Sequence, residues 1–436
     1  MKTSCFIMAA FFALAASLLS FEQSIAQTPL TTAAPTTVVG VGSPAWFWSP
    51  GAWVTDRERS SGLDYAQTNQ QGCYARLYFS SKSPQPTCSV TFDCSMYSGL
   101  PYPPIISYSV DGSLTDNVSL SGDGADIVSI PVTGSGEHVV TIWCRNAPQA
   151  GGWGGAAPTN NAVYRIDNAR IDNQSSAGAA PAWDGRWIWI IGPSTCAGTR
   201  ANNGQDDSLV AYSHLEGEAF HQLGYEYSVK AFGYWGLLAP GDADSSVPPF
   251  YAVTGSTNGG NGTLEPSSWD KLDPENSLLD SRGQISAYGP VDEQPFLIQL
   301  NFGGNECRIG SKESDMEASV SQCLVALRRA APNAWIFVGP EQELGNDNIL
   351  GNSGSKKYVS AIDNAVEHYH QLYPLDSKTV LIDLTATLSP PLASAFYGDS
   401  GFANSNHCNA AGHALEASVM LAFIQQKIDS ANKTNR

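Results

Sequence analysis

The chain has 436 residues, of which only 15% are charged, with 23 Lys and Arg against 41 Asp and Glu and a formal net charge of −18. So acidic a chain, so sparse in Lys and Arg, argues against nucleic acid and anionic membrane surfaces as partners. A neutral substrate fits this balance better.

In chain order, Lys2, the apolar run Phe6–Leu19 and the small residues Ser24-Ile25-Ala26 read as a secretory signal peptide over 1–26. The mature protein is then expected to begin near Gln27 and to be secreted and extracellular. No later run approaches the roughly 18 apolar residues of a membrane span. Cys5 leaves with the signal, and eight cysteines remain: Cys73, Cys88, Cys94, Cys144, Cys196, Cys307, Cys323 and Cys408. An even number in an exported chain implies disulfides. No CxxC pair or His/Cys cluster has zinc spacing, so no metal site is expected. Sequons at Asn117, Asn173, Asn261 and Asn432 suit a glycoprotein if the host is eukaryotic.

Residues 27–44 are rich in Thr, Ala and Pro and read as a flexible lead-in. Over 45–173 short alternating runs such as ARLYF, CSVTFDC, PIISYSVDG, IVSIPV, HVVTIWC and AVYRIDNARI are punctuated by Gly, Pro, Asn and Asp. Strands of this length and spacing predict an all-β, jelly-roll-like antiparallel sandwich. Residues 174–182, QSSAGAAPA, read as a linker. Beyond it, over 183–436, strand and helix patterns alternate. Strands are expected at Trp187–Ile191, Tyr225–Ala231, Phe296–Phe302, Trp335–Val338 and Val380–Leu384, and helices at Gln205–Leu223, Glu313–Ala330, Ser355–Tyr373 and Ala410–Ile428. This alternation predicts an α/β domain, a doubly wound parallel sheet with helices on both faces. Leu238–Gly289, rich in Gly, Pro, Ser and Asp, reads as a long loop that shapes a site.

In an open parallel sheet the site gathers at the carboxyl ends of the strands. The first strand ends in Ser194 after Gly192-Pro193, the second in AFGYWG with Gly236, the third in GGNE with Asn305, and the last loop carries His407. A strand-end serine and a late histidine suit nucleophilic acyl transfer.

The order of these four blocks resembles the SGNH (GDSL-like) hydrolase superfamily, whose blocks supply Ser, Gly, Asn and His. Ser194 and Gly198 match the first block, Gly236 the second, Gly303-Gly304-Asn305-Glu306 the third and His407-Cys408-Asn409 the fourth. With a sandwich ahead of the serine strand, the layout is similar to carbohydrate esterase family two. The resemblance implies a flavodoxin-like sheet, a secreted serine esterase and removal of O-acetyl groups from a polysaccharide or oligosaccharide such as xylan or mannan. It implies Ser194 as nucleophile, His407 as base, and an oxyanion hole of the Ser194 and Gly236 N–H groups and the Asn305 amide. No cofactor is implied, and a monomer is expected. The alternatives are a general short-chain esterase or lipase, or a catalytically silent carbohydrate-binding protein.

Two positions depart from the pattern. Pro193 stands where an aspartate usually precedes the serine, and Asn404 where an aspartate would orient the histidine. Asn404 is thus the candidate orienter, with Asp399 or a main-chain carbonyl as substitutes. Trp235 is expected as a substrate wall, with Tyr234 and Trp153 as further aromatic candidates, and His413 as a packing or surface histidine on the closing helix. Cys196 and Cys408 flank the serine and the histidine, so a bridge between them would brace the site. Cys307 would then pair with Cys323, and the other four within the sandwich.

Overall fold

The computed structural model describes residues 37–58, 64–122, 124–149, 151–153, 162–241, 247–253, 267–286, 294–341, 356–382 and 407–434. The signal-peptide segment, Asn261, Asp399 and Asn404 lie outside the described residues.

Strands come first: β1 (Thr37–Gly40), β2 (Trp46–Trp48), β3 (Val54–Glu58), β4 (Asp64–Thr68), β5 (Tyr74–Ser81), β6 (Thr87–Asp93), β7 (Ile105–Val110), β8 (Ser113–Ser119), β9 (Ala125–Pro131), β10 (Gly136–Asn146), β11 (Tyr164–Ile171) and β12 (Ser175–Ala177). They form two antiparallel sheets of six strands. One runs β3-β4-β11-β6-β9 with β1 on β11, the other β12-β5-β10-β7-β8 with β2 on β5. Side chains alternate across a strand, so β9 buries Val128 and Ile130 and turns Ile127 and Ser129 outward. One core cluster joins Val90, Phe92, Val128, Ile130 and Ile166 of the first sheet to Leu77, Phe79, Ile106, Val140 and Ile142 of the second.

Two segments expected to be irregular carry strands. Thr37–Gly40, inside the lead-in, pairs with Ile171–Asn168, and Ser175–Ala177, inside the linker, pairs with Ser81–Phe79. These runs are too short to show an alternation of their own. They order because the neighbouring strand offers unpaired backbone N–H and C=O groups.

Next come β13 (Trp187–Gly192), a 3-10 turn at Ser208–Val210, α1 (Tyr212–His221), β14 (Glu226–Ala231), β15 (Leu297–Phe302), α2 (Gly304–Ile309), α3 (Glu313–Ala330), β16 (Trp335–Pro340), α4 (Lys356–Leu372), β17 (Thr379–Leu381) and α5 (Ala410–Thr434). The five strands are parallel, in the order β14-β13-β15-β16-β17. Every residue of WIWIIG in β13 is buried, as expected of a central strand covered on both faces. Trp187, Trp189 and Ile191 pack in one cluster with Met316, Leu324 and Ile362 of α3 and α4. Ile188 and Ile190 pack in another with Tyr212, Phe220, Met420 and Ile424 of α1 and α5.

The helix expected over 205–223 begins only at Tyr212. Asp207 is held extended (φ −155, ψ 99), its carboxylate accepting from the Leu209 N–H and from the Arg145 guanidinium of β10. That long-range pair outcompetes the helical pattern. A second ion pair, Arg76 to Glu226 at 2.7 Å with Tyr74 on the same carboxylate, ties β5 to β14. Removing one partner of such a buried pair typically costs about 3–5 kcal/mol.

The disulfide expectation is not met. All eight cysteines are free, buried thiols, and neither Cys196–Cys408 nor Cys307–Cys323 is bridged. Cys73, Cys88, Cys94 and Cys144 sit in the core shared by the antiparallel sheets, Cys196 in the α1/α5 cluster, and Cys307 and Cys323 in the α3/α4 cluster. There they pack as small apolar groups, and burial pushes the Cys73 and Cys88 thiols up to about 12. Among the described residues no helix is long and apolar enough to cross a membrane, and no group of three or more His, Cys, Asp or Glu could hold a metal ion.

Candidate active site

Beyond β13 the backbone turns sharply at Gly192-Pro193-Ser194. The Ala197 N–H donates to the Pro193 carbonyl (3.1 Å) and the Thr199 N–H to the Ser194 carbonyl (2.9 Å), so one helical turn holds the serine. Gly198 closes it at φ +74, where a Cβ would lie 2.2 Å from the Asp207 carbonyl oxygen, so no other residue fits. His407 arrives from the opposite end of the chain, just ahead of α5. Its Nε2 lies 2.7 Å from Ser194 Oγ, and each of the two residues is 7% exposed.

Burial, with the nearby Arg200 and Arg308 guanidiniums and His413 adding to it, lowers the His407 pKa from 6.5 to about 3. The ring is therefore neutral at physiological pH. With its proton on Nδ1, Nε2 accepts from the Ser194 hydroxyl, the direction a general base needs. His413 is elsewhere. Fully buried on α5, its Nδ1 accepts from the Tyr212 N–H (3.3 Å) and its ring stacks on Tyr212.

The oxyanion expectation needs one change. The Gly236 N–H donates to the Ala239 carbonyl at 3.0 Å, so it is spent inside its own loop. Gly192 of β13 pairs in register with Ala231 of β14. Ser194 and Gly233 each come two residues after this last registered pair, so Gly233 is the first glycine past the end of β14. Among the described residues neither the Ser194 nor the Gly233 N–H has a hydrogen-bond partner. Asn305 Nδ2 donates one hydrogen to the Trp235 carbonyl (2.8 Å), which leaves its second amide hydrogen for a ligand.

Gly236 has a different reason to be glycine. A Cβ there would lie 1.9 Å from Glu306 Oε1, and that same oxygen accepts from the Leu238 (2.9 Å) and Ala239 (3.2 Å) N–H groups. Asn305 and Glu306, neighbours on α2, thus grip the loop after β14 at both ends. Glu341, next after β16, accepts from the Gly304 N–H (2.8 Å) and from the Thr195 hydroxyl (3.5 Å), joining α2 to the nucleophile turn. In the sequence Glu306 reads only as the last residue of the third block and Glu341 as a polar residue past a buried strand, since what they bind lies on other segments.

Trp235, expected as a substrate wall, is fully buried, its indole N–H on the Pro248 carbonyl and its ring among Phe232, Phe250 and Phe302. It is a core residue. The exposed aromatic of that loop is Tyr234, 44% exposed and at φ 59. Trp153 is half-buried, edge-on to Phe232. A separate cavity of about 420 Å³, lined by Trp335, Val366, Thr379 and Lys427 among others, opens at the amino ends of β16 and β17, away from Ser194.

A strand-end serine hydrogen-bonded to a histidine that precedes the closing helix, on a parallel sheet of order 2-1-3-4-5, is an arrangement able to carry out nucleophilic acyl transfer. The comparisons with solved structures show where this fold recurs. The chain is similar to a family two carbohydrate esterase from Clostridium thermocellum solved with cellohexaose, at TM-score 0.60 and 17% identity, covering 88% of this chain and 99% of that one. It is also similar to a family two carbohydrate esterase with a carbohydrate-binding domain from Corynascus thermopiles (Myceliophthora fergusii), at TM-score 0.58 and 18% identity over 88% and 99%. A third such structure is an acetyl xylan esterase from Butyrivibrio proteoclasticus, at TM-score 0.55 and 14% identity over 88% and 99%. No protein-family model and no curated protein matches the chain.

Proposed function

We propose that the protein is a secreted serine esterase that removes O-acetyl or other short acyl groups from a polysaccharide such as xylan or mannan. The observation that carries this reading is the 2.7 Å contact between Ser194 Oγ and His407 Nε2 at the carboxyl ends of the parallel strands. The carbohydrate esterases among the solved structures of similar fold support the substrate class. In this reading residues 1–26 are a signal peptide, 45–173 a jelly-roll-like sandwich and 183–436 a doubly wound, flavodoxin-like hydrolase domain, and the protein is a monomer. The exposed sequons at Asn117, Asn173 and Asn432 are its glycosylation sites in a eukaryotic host.

The chemistry runs through a covalent acyl-serine. As Ser194 Oγ attacks the ester carbonyl carbon, its proton passes to His407 Nε2 and the carbonyl oxygen takes the negative charge. The N–H groups of Ser194 and Gly233 and the free amide hydrogen of Asn305 stabilise that oxyanion, each worth about 10²–10³ in rate. When the tetrahedral centre collapses, the C–O bond to the sugar breaks and His407 hands the proton to the departing oxygen. Water, deprotonated by the same imidazole, then attacks the acyl-serine and releases the acid. Glu306 and Glu341 touch no reacting atom; they hold the loops that carry the donors.

The test is acetate release from acetylated xylan and mannan by the wild type and by Ser194→Ala, with labelling by a serine-directed phosphonate. Single labelling at Ser194 together with Ser194-dependent acetate release supports the reading. Acetate release that survives Ser194→Ala overturns it.

A further inference from the structure

The rim of the candidate site carries positive charge on a strongly negative chain. Arg308 lies on α2 one turn past Asn305, and its guanidinium carbon stands 5.4 Å from the ring centroid of Tyr234. Arg200 follows the nucleophile turn, at φ 58 with its N–H fixed by Asp206 (2.9 Å). Both arginines are exposed. Tyr234 is also exposed and holds the left-handed backbone at φ 59, a conformation that costs a bulky residue about 1–3 kcal/mol and marks functional segments. Arg308 forms no ion pair with a described residue. The nearest acid in sequence, Glu306, is committed to the Leu238 and Ala239 N–H groups.

After burial, the charges of Arg200 and Arg308 add to what disfavours the imidazolium of His407, and the same charges favour a negative group on the substrate. The Asp206 carboxylate already meets the charge of Arg200, whereas a substrate carboxylate would meet that of Arg308 and take from it a planar, two-pronged grip that suits its fork geometry. The net charge of −18 does not forbid this. Charges farther than a Debye length of about 8 Å at physiological salt are screened, whereas the arginines act at contact.

We propose that Arg308, packed on Tyr234, binds a carboxylate carried by the ester substrate, so that acidic acyl-saccharides are preferred over neutral ones. This rests on the esterase reading and narrows its substrate class. The carboxylate comes either from a uronate sugar beside the ester or from the acyl group itself.

Two kinds of measurement decide it. With Ser194→Ala, calorimetry compares a xylo-oligosaccharide bearing a glucuronosyl branch with its unbranched counterpart. With wild type, kcat/KM is compared for the acetylated forms of the same pair, and for 4-nitrophenyl acetate against mono(4-nitrophenyl) succinate. A preference of about tenfold for the acid in the sugar pair assigns the uronate, and one in the nitrophenyl pair assigns the acyl acid. In either case Arg308→Gln brings the ratio towards unity and Arg308→Lys retains part of it. Equal binding and equal turnover of acidic and neutral members in both pairs overturns the inference. So does an Arg308→Gln variant that only moves the acid limb of the pH profile and leaves the ratio unchanged, since the arginine would then merely tune the base. If wild type turns over no ester at all, the esterase reading falls while the calorimetric arm still decides the carboxylate.

Discussion

Gly236→Ala puts the loop after β14 to a quantitative test. The added methyl would sit 1.9 Å from Glu306 Oε1, whereas real Cβ atoms essentially never approach a neighbour within 3.0 Å. Glu306 cannot simply swing aside, because the oxygen that must move is the one accepting from the Leu238 and Ala239 N–H groups. If the carboxylate yields, two buried donors lose their acceptor at about 1–3 kcal/mol each, and overpacking adds about 1–3 kcal/mol. If the loop yields instead, Trp235 and the backbone near Gly233 shift, and a displacement of about 1 Å near the reacting atoms costs on the order of 10² in rate. The assay is therefore paired: thermal unfolding for the first route, kcat/KM on a soluble acetyl ester for the second. A loss of several degrees in Tm, of at least about 10² in kcat/KM, or of both is expected. Adding Glu306→Asp, which withdraws the carboxylate by one methylene, should recover part of it. Unchanged Tm and rate in Gly236→Ala would refute the view that Glu306 is why this residue is glycine.

His407→Ala should lower ester turnover by at least about 10³, whereas His413→Ala, whose imidazole binds Tyr212, should stay within a few fold wherever the variant is folded; the reverse result would move the base. Because the His407 pKa is lowered from 6.5 to about 3, the base stays neutral across the mildly acidic range, and kcat/KM should fall only well below pH 6.5. An acid limb centred at or above 6.5 would contradict the burial. His413 is lowered to about 3 in the same way, so unfolded chains bind protons that the folded protein refuses, and stability contributed by both rings is lost as pH falls from about 6.5 towards 3; urea unfolding at pH 7 and pH 5 should show that decrease. With all eight cysteines free, a reductant should leave Tm unchanged, and a drop of several degrees would reveal a bridge.

Much of this was legible from residue order alone. The runs WIWIIG and LIQLNF announce buried parallel strands because a strand covered on both faces has no polar side to alternate with. Ser194 and Asn305 could be named as candidates because each sits where an apolar run breaks, and His407 because it stands just ahead of the closing helical run, local events that the sequence records. What it could not record was which partners those breaks meet. Gly236 and Gly233 are both glycines in one short stretch, and only the hydrogen bond from the Gly236 N–H to the Ala239 carbonyl separates an N–H already committed from one that has no partner among the described residues. Trp235 and Tyr234 are adjacent aromatics with similar propensities, yet the fold buries one among phenylalanines and exposes the other beside Arg308. The carboxylates of Glu306 and Glu341 reach across strands, and Asp207 leaves its helix for Arg145 on another sheet. Local pattern reports what each segment does with its own neighbours; contacts between segments distant in the chain have no local signature, and those contacts decide the geometry of the site.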